Sequence, residues 1–239
     1  MKKTAFSLLA LLALAPAFAA EATSPWSFNA GAVSDYRYRG ISQTRLQPAL
    51  QGGVDYAAPA GFYAGAWAST IRWVRDAGGD ASAELDVYGG YKAEVAPGLT
   101  LDVGLLQYVY PGNRLQPSAN TLEAYAGLSF GPLTARYSHS TTRLFGFADS
   151  RGSGYLDLSA SLDLGDGFTL TPHVGHQTVR RNAAASYTDA SLTLAKEVSG
   201  VVVSAALVGT DAGRAAYTSA AGAKFLGRTG VVLGLKKTF

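Results

Sequence analysis

The side chains in this sequence that could do chemistry are acids and arginines placed at every second position of short segments. Glu84 and Asp86 alternate with apolar residues, and Arg37 and Arg39 are spaced in the same way near the start of the chain. Period-two spacing puts such side chains on one face of a β-strand. Several charges on one strand face cannot lie in a dry core at acceptable cost, so the pattern predicts a face in contact with water.

Motifs that would indicate an enzyme are weak. Gly127–Gly131 has the G-x-S-x-G spacing, but a nucleophile elbow needs a strand followed by a helix, and here a turn and a further strand pattern follow. His139 and His176 fall on an outward parity, where the Ser–His pair of a membrane-facing lipid hydrolase would need a histidine. His173 and His176 are three residues apart, so they point to opposite sides of a strand and cannot share a metal. We expect no enzyme, no metal site and no cofactor.

The elements that position the charges are predicted to be twelve antiparallel β-strands. The first runs from Trp26 to Arg39, with Tyr36 and Tyr38 on its apolar, outward face. The third runs from Phe62 to Val74, and the twelfth from near Lys224 to Phe239. Pro172 interrupts the ninth strand and predicts a bulge or an unpaired N–H there.

The connections between these strands have two lengths. Tight Pro/Gly, Asp-Gly or Ser-Gly turns fall near residues 59, 97, 131, 166 and 199, and the links on the other side are longer and more polar. An even number of strands with short turns at one rim and long loops at the other is typical of outer-membrane barrels. The last strand carries Leu233, Leu235 and Phe239 on one face, and we expect it to close the barrel by pairing with the first strand.

The start of the sequence predicts an export signal. Lys2 and Lys3 precede an apolar segment, residues 5–15, and Ala17–Ala19 forms a small-residue cleavage site. We therefore divide the chain into a signal peptide, residues 1–19, and a barrel domain, residues 20–239. The formal net charge of +3 includes both signal lysines, so the charge gives no argument for binding nucleic acid. The chain has no cysteine, which excludes disulfides and thiolate metal sites.

Alternation by itself leaves one other fold open. A soluble β-sandwich or a lipocalin-like barrel shows the same period, with its apolar face turned toward the core. The export signal, the twelve strands and the apolar residue Phe239 favour the transmembrane antiparallel β-barrel.

Three segments of the chain resemble a known family. Ser34–Thr44, Pro48–Tyr56 and Gly61–Ser69 are similar to the TorF-type porins of bacterial outer membranes, and Glu84–Lys92 continues the resemblance. The similarity covers residues 34–125 closely and extends to Phe239 by strand pattern only. The resemblance implies a place in the outer membrane and a channel role, and Phe239 resembles the terminal aromatic residue by which the barrel-assembly machinery recognises outer-membrane proteins.

We therefore expect a porin-like channel in the cell outer membrane for passive diffusion of small polar or ionic solutes. Its partners would be outer-membrane lipids, the assembly machinery and the solutes. Two alternatives remain: a non-conducting structural or assembly barrel, and an outer-membrane lipid hydrolase. Twelve strands leave a narrow lumen, in which mixed charges either line a path or pair as a plug. The residues expected to line the pore are Asp35, Arg37, Arg39, Arg72, Glu84, Asp86, Lys92, Glu123 and Arg136.

Overall fold

The computed structural model describes residues 24–239, so the predicted signal peptide lies outside the described residues. These residues form one antiparallel sheet of twelve strands closed into a barrel, as the sequence predicts. The strands are β1 (Trp26–Val33), β2 (Ala49–Ala57), β3 (Phe62–Thr70), β4 (Ala83–Ala96), β5 (Leu99–Val109), β6 (Thr121–Phe130), β7 (Leu133–Ser140), β8 (Gly154–Ala160 and Leu162–Gly165), β9 (Phe168–Thr178), β10 (Tyr187–Val198), β11 (Val201–Thr210) and β12 (Gly230–Thr238).

Long loops and tight turns lie at opposite rims of the barrel, as in outer-membrane proteins. The tight turns carry residues in the left-handed region where hairpins need them, such as Asp166 and Gly167. Two short α-helices lie in the long loops, α1 (Trp73–Asp76) and α2 (Arg214–Tyr217). Within residues 24–239, neither these nor any other helix could cross a membrane. The long loops are loop 1 (34–48), loop 2 (71–82), loop 3 (110–120), loop 4 (141–153), loop 5 (179–186) and loop 6 (211–229).

The barrel closes where β1 pairs with β12. Asn29 lies opposite Thr238 and Val33 opposite Gly234 in antiparallel register. The backbone N–H of Phe239 donates to the carbonyl of Phe28 at 2.8 Å, and the N–H of Phe28 donates back at 3.1 Å. Because both edges of the sheet are used in this pairing, no strand edge is left to face hydrocarbon, where unpaired backbone groups cost several kcal/mol each.

The outer surface of the barrel is apolar. Leu50, Val231 and Phe239 are 69%, 63% and 66% exposed, and large apolar side chains project in the same way from strands all round the barrel. A soluble sandwich or lipocalin-like barrel would turn these side chains inward. The exposed band therefore decides between the two folds that alternation leaves open, because a surface of this kind is stable only in a lipid environment.

The predicted irregularity at Pro172 appears on the neighbouring strand. β8 is interrupted at Ser161, whose position in the β8–β9 register lies next to that of Pro172. Proline has no N–H to donate to the ladder. On the other edge of β8 the Ser161 N–H donates to the carbonyl of Pro132 at 2.8 Å, so the pairing toward β7 continues past the break.

Tyrosines inside the barrel lie flat against glycines of neighbouring strands. Tyr63 covers Gly90, Tyr88 covers Gly65 and Tyr125 covers Gly104, so close that a Cβ on any of these glycines would overlap the ring. The phenol groups then meet wall carboxylates: Tyr88 donates to Asp55, and Tyr63 to Asp102. The glycines let large aromatic residues lie along the wall instead of across the lumen.

Replacing Gly90 with alanine is therefore expected to destabilise the barrel, whereas Gly89→Ala should have little effect. A Cβ at Gly90 would overlap both the Tyr63 ring and the Val103 carbonyl, and overpacking of this kind costs roughly 1–3 kcal/mol. A Cβ at Gly89, on the outward face, would meet its nearest atom at 3.3 Å. Urea unfolding midpoints of the two purified variants measure the difference, and equal midpoints would contradict the packing role of Gly90.

Three predicted strand ends are wrong, and each error lies at the long-loop rim. β1 ends at Val33 instead of Arg39, β3 ends at Thr70 instead of Val74, and β12 begins at Gly230 instead of near Lys224. Tyr36 and Tyr38 consequently do not face lipid but are buried at 1% and 8% exposure. Alternation continues into these segments although the chain has left the wall, because the loop residues bury side chains of their own.

Candidate functional site: the lumen and loop 1

Loop 1 folds into the barrel instead of projecting from it. After Val33 the chain turns inward, and two short strands, Arg37–Tyr38 and Ile41–Ser42, pair as a small hairpin. Gly40 at the hairpin tip has a φ of +77°, and a Cβ there would clash with Thr210 and Asp189 of the wall. A glycine is therefore needed both for the turn and for the close approach to the wall. Residues 35–44 are all buried.

The carboxylate of Asp35 holds the shape of loop 1. It accepts hydrogen bonds from the hydroxyls of Ser42 at 2.5 Å and Thr44 at 3.0 Å, and it pairs with the Nε of Arg37. The Thr44 hydroxyl in turn accepts from the N–H of Tyr36 at 3.1 Å. All these groups belong to loop 1, so hydrogen bonds within the loop stabilise the hairpin in addition to its contacts with the wall.

Arg37 joins loop 1 to loop 6. Its Nη1 donates to the carbonyls of Gly40, Leu226 and Arg228 at 2.9, 3.0 and 3.1 Å. The side chain is 2% exposed, and its charge is met by Asp35. A guanidinium can do both because its Nε pairs with Asp35 while its Nη1, a separate nitrogen, donates to the carbonyls.

Arg39 joins loop 1 to the far wall. Its two Nη atoms donate to the two carboxylate oxygens of Glu123 on β6, at 3.0 and 2.7 Å, and Nη1 also donates to Gln177 on β9 at 2.6 Å. The guanidinium lies 4.7 Å from the ring centre of Tyr38 and 4.2 Å from that of Tyr155. The bidentate pair and the ring contacts together fix this arginine against the far wall of the lumen.

Two tyrosines complete the contacts of loop 1. Tyr36 donates to Glu84 on β4 at 2.7 Å, and the Tyr38 hydroxyl lies 2.6 Å from that of Tyr108 on β5. Burial, together with the nearby Glu84 and Asp86, raises the pKa of Tyr36, so its hydroxyl stays protonated and remains a donor. Loop 1 thus contacts β4, β5 and β6 on one side and β9 and loop 6 on the other. It crosses the barrel interior from wall to wall.

Asp86 is the unusual member of this site. It is fully buried at 0% exposure, and neither of its carboxylate oxygens has a hydrogen-bond partner within the described residues. Glu84, two positions away on β4, is itself engaged by Tyr36. The acid at Asp86 therefore carries a desolvation cost without compensation, which is the mark of a group retained for a purpose other than stability.

Replacing Asp86 with asparagine is expected to stabilise the barrel. The change replaces an ionisable acid beside Glu84 with an amide that is neutral in both the folded and the unfolded state, so it removes the cost of burying the acid, roughly 1–3 kcal/mol. Glu123→Gln is the matched comparison: it should destabilise, because it breaks the bidentate pair with Arg39. Urea midpoints measured side by side test the pair of variants. A lower midpoint for Asp86→Asn would contradict the description of Asp86 as uncompensated.

On the tight-turn side of loop 1 the wall carries charges of both signs. Lys92 on β4 lies opposite Asp102 on β5 in the strand register, and the Arg136 guanidinium lies 3.6 Å from the Tyr125 ring centre. His173 Nε2 on β9 contacts Asp157 on β8 at 2.7 Å. This half of the lumen carries many polar side chains, as expected for a surface that is wet inside a membrane protein.

The structure brings together eight of the nine residues predicted to line the pore. Glu84, Asp86 and Lys92 lie on β4, Glu123 lies on β6 and Arg136 on β7, all facing inward, while Asp35, Arg37 and Arg39 reach the same space from loop 1. Arg72 does not join them: it is exposed on loop 2, because β3 has already ended at Thr70. The prediction for Arg72 is wrong for that reason.

The G-x-S-x-G segment lies in a strand–turn–strand unit. Ser129 is on β6, its hydroxyl lies 3.0 Å from that of Thr134 on β7, and the next element is again a strand. His139 and His176 are exposed, and His176 Nδ1 contacts the hydroxyl of Thr188. The strand–helix geometry of a nucleophile elbow is therefore not present at Ser129.

A closed barrel with an apolar outside and a polar inside defines the protein as an outer-membrane β-barrel. More particularly, the chain belongs to a family of bacterial proteins of unknown function (Gcw_chp), whose model matches residues 19–239. No curated protein sequence matches it significantly.

Porins are among the solved structures with a similar fold. The KdgM porin aligns with a TM-score of 0.58 at 9% identity, over 89% of this chain and 99% of that one. KdgM in complex with disordered oligogalacturonate gives the same TM-score at 8% identity, over 89% and 99% of the two chains. The NanC porin aligns at 0.54 and 12% identity, over 90% of this chain and 98% of that one. At such identities the similarity concerns the fold.

Proposed function

We propose that the protein is a narrow outer-membrane channel for passive diffusion of small polar or ionic solutes, in which loop 1 sets the constriction. The observation that carries this proposal is the polar lumen crossed by a loop held through charged side chains. A barrel filled by an apolar plug would not need charged side chains along its lumen. In a channel, charges at the narrowest point select the ions that pass. The porin fold and the resemblance of residues 34–125 to the TorF-type porins support the same role.

The charges of the lumen favour cations over anions. Among the described residues, acids outnumber bases on the buried and half-buried inner surface, even if His173 is counted as charged. At a pH at which these acids are ionised, their surplus in a low-dielectric wall concentrates cations and repels anions. The acids are Asp35, Asp55, Glu84, Asp86, Asp102, Glu123, Asp157 and Asp189; the bases are Arg37, Arg39, Lys92, Arg136 and Lys236.

The same surplus argues for a permeant class different from that of one solved neighbour. KdgM has been solved with oligogalacturonate, which is a polyanion. In the present lumen a polyanion would meet Glu84, Asp86 and Glu123 close to the narrowest point. We propose small cationic or neutral polar solutes as the permeants.

Conductance in planar bilayers tests the proposal. Purified protein in a KCl gradient at alkaline pH, where the acids are ionised, should give small single channels with a reversal potential displaced toward that of K⁺. The double variant Glu84→Gln/Asp86→Asn should bring the reversal potential closer to zero, and Arg72→Gln on exposed loop 2 should not. A Cl⁻-selective channel would refute the cation preference. Absence of channels from both wild type and variants that release loop 1 would refute the channel itself.

A non-conducting barrel is the second candidate, favoured by the contacts of loop 1 with both sides of the wall. In that case loop 1 is a permanent plug, and the protein has a structural or assembly role. The two candidates differ in what loosening loop 1 does. A channel gains conductance, whereas a permanently filled barrel loses stability without conducting.

A further inference from the structure

A cavity of about 290 Å³ lies on the long-loop side of loop 1, separate from the charged lumen. Loop 1 forms its floor through Tyr38, Ile41, Ser42 and Gln43, and the other long loops or adjoining strand ends form its walls. The cavity is thus a feature of the exterior end of the barrel, and the function proposed above makes no use of it.

Aromatic side chains dominate the walls, and contacts with one another hold them in place. Trp73 and Tyr110 meet edge to face at 5.1 Å between ring centres, and Tyr187 and Tyr217 do the same at 5.1 Å. The edge of the floor is fixed by Phe145, which packs on Tyr38 at 5.5 Å. Rings held in this way offer a formed binding surface that does not have to reorganise around a ligand.

The one charged residue of the lining is already neutralised. Asp76 accepts from Arg45 Nε at 2.7 Å and from the Ser219 hydroxyl at 2.7 Å. Although burial acts in the opposite direction, these hydrogen bonds lower the pKa of Asp76, so it stays charged and paired with Arg45. A charged ligand would therefore find no unpaired counter-charge in the cavity.

The remaining polar side chains of the lining are largely used within the protein. The amide of Gln177 donates to the carbonyls of Gly154 and Thr178 and accepts from Arg39. The Tyr217 hydroxyl donates to the carbonyl of Ala185 at 2.6 Å. What the cavity presents to a ligand is therefore mainly ring faces and aliphatic surface.

We propose that this cavity is a binding site for a small uncharged solute with one or two rings, taken from the external medium. Its volume is about twice that of an apolar cavity of roughly 150 Å³ known to bind benzene, which sets the ring count. Ring faces stack on the aromatic walls, and neutrality follows from the lack of an unpaired charge.

The test uses full-length protein in detergent, with 4-fluorophenol as the probe and ¹⁹F NMR as the readout. After the signal from protein-free micelles is subtracted, binding of 4-fluorophenol to the protein should reach saturation as its concentration rises. Ala216→Phe on α2 fills the cavity and should weaken binding at least about tenfold, the effect of about 1.4 kcal/mol. Ala215→Phe is the matched control. Ala215 is next to Ala216 in the sequence, but its side chain is exposed and does not line the cavity. It should bind like wild type.

Charge provides the second arm of the experiment. The anionic probe 4-fluorobenzoate should show no saturable binding at concentrations that saturate the site with 4-fluorophenol. If Ala216→Phe fails to fold, Ala220→Trp fills the same cavity from an exposed position of loop 6 that also lines it. Absence of saturable 4-fluorophenol binding, undiminished binding to a folded filling variant, or equal binding of the anion would each overturn the proposal. None of these readouts depends on whether the barrel conducts.

Discussion

Arg39→Ala is expected to raise single-channel conductance several-fold, because it releases loop 1 from the far wall. The substitution removes the bidentate pair with Glu123 and leaves that carboxylate buried and unpaired. Breaking a buried pair in this way costs about 3–5 kcal/mol. Even the lower value shifts the docking equilibrium of loop 1 by about two orders of magnitude. The measurement is conductance in planar bilayers, with folding verified by electrophoretic heat-modifiability.

The control for this experiment is Arg72→Ala. It removes the same side-chain type from an exposed position on loop 2 and should leave conductance unchanged. The double variant Arg39→Met/Glu123→Leu separates charge from occlusion: it removes the unpaired acid, so loop 1 should dock again and conductance should return toward wild type. Unchanged conductance in a folded Arg39→Ala protein would mean that loop 1 does not set the constriction.

Arg37→Ala is expected to have the second largest effect. It should make both loop 1 and loop 6 lose their ordered conformation. The guanidinium meets Asp35 and three carbonyls, of which two, those of Leu226 and Arg228, belong to loop 6. Loss of a hydrogen-bonded buried charge leaves Asp35 unpaired and should cost about 3–5 kcal/mol. Limited proteolysis should then cut within residues 34–48 and 211–229 in protein whose barrel remains folded.

Arg37→Lys sharpens this result. Lysine keeps the charge next to Asp35 but has one nitrogen only, so it cannot pair with Asp35 and reach the loop 6 carbonyls from two separate atoms. We expect proteolysis of loop 6 in Arg37→Lys, with loop 1 better protected than in Arg37→Ala. Full protection of both loops in Arg37→Ala would contradict the role of Arg37 as the link between them.

Much of the architecture could be predicted from alternation alone. The charges at Glu84, Asp86 and Glu123 mark the inner face correctly. Alternate residues of a strand share a face, so one inward residue assigns the faces of all the others. The paired turns near residues 97 and 131 likewise mark the rim. The pairing of β1 with β12 follows from topology, since a lipid-embedded sheet cannot keep an edge.

The inward course of loop 1 could not be predicted in this way. Asp35, Arg37 and Arg39 continue the period of β1, and nothing local separates a wall strand from a hairpin that leaves the wall. The signal that distinguishes them is long-range: Arg39 meets Glu123 and Gln177, residues far away in sequence. The external cavity was missed for the same reason.

The contacts of Arg37 with Leu226 and Arg228 have a consequence for how the chain assembles. They join residues 189 and 191 positions apart, so they can form only when the segment leading into β12 is present. Ordering so long a stretch before the contact is made has an entropic cost, and contacts of this kind form late and slowly. We therefore expect the contacts of loop 1 with the wall strands to form first, as the sheet grows, and its link to loop 6 to form only as the last strand arrives. Closure of the barrel would then also complete the cover over its entrance.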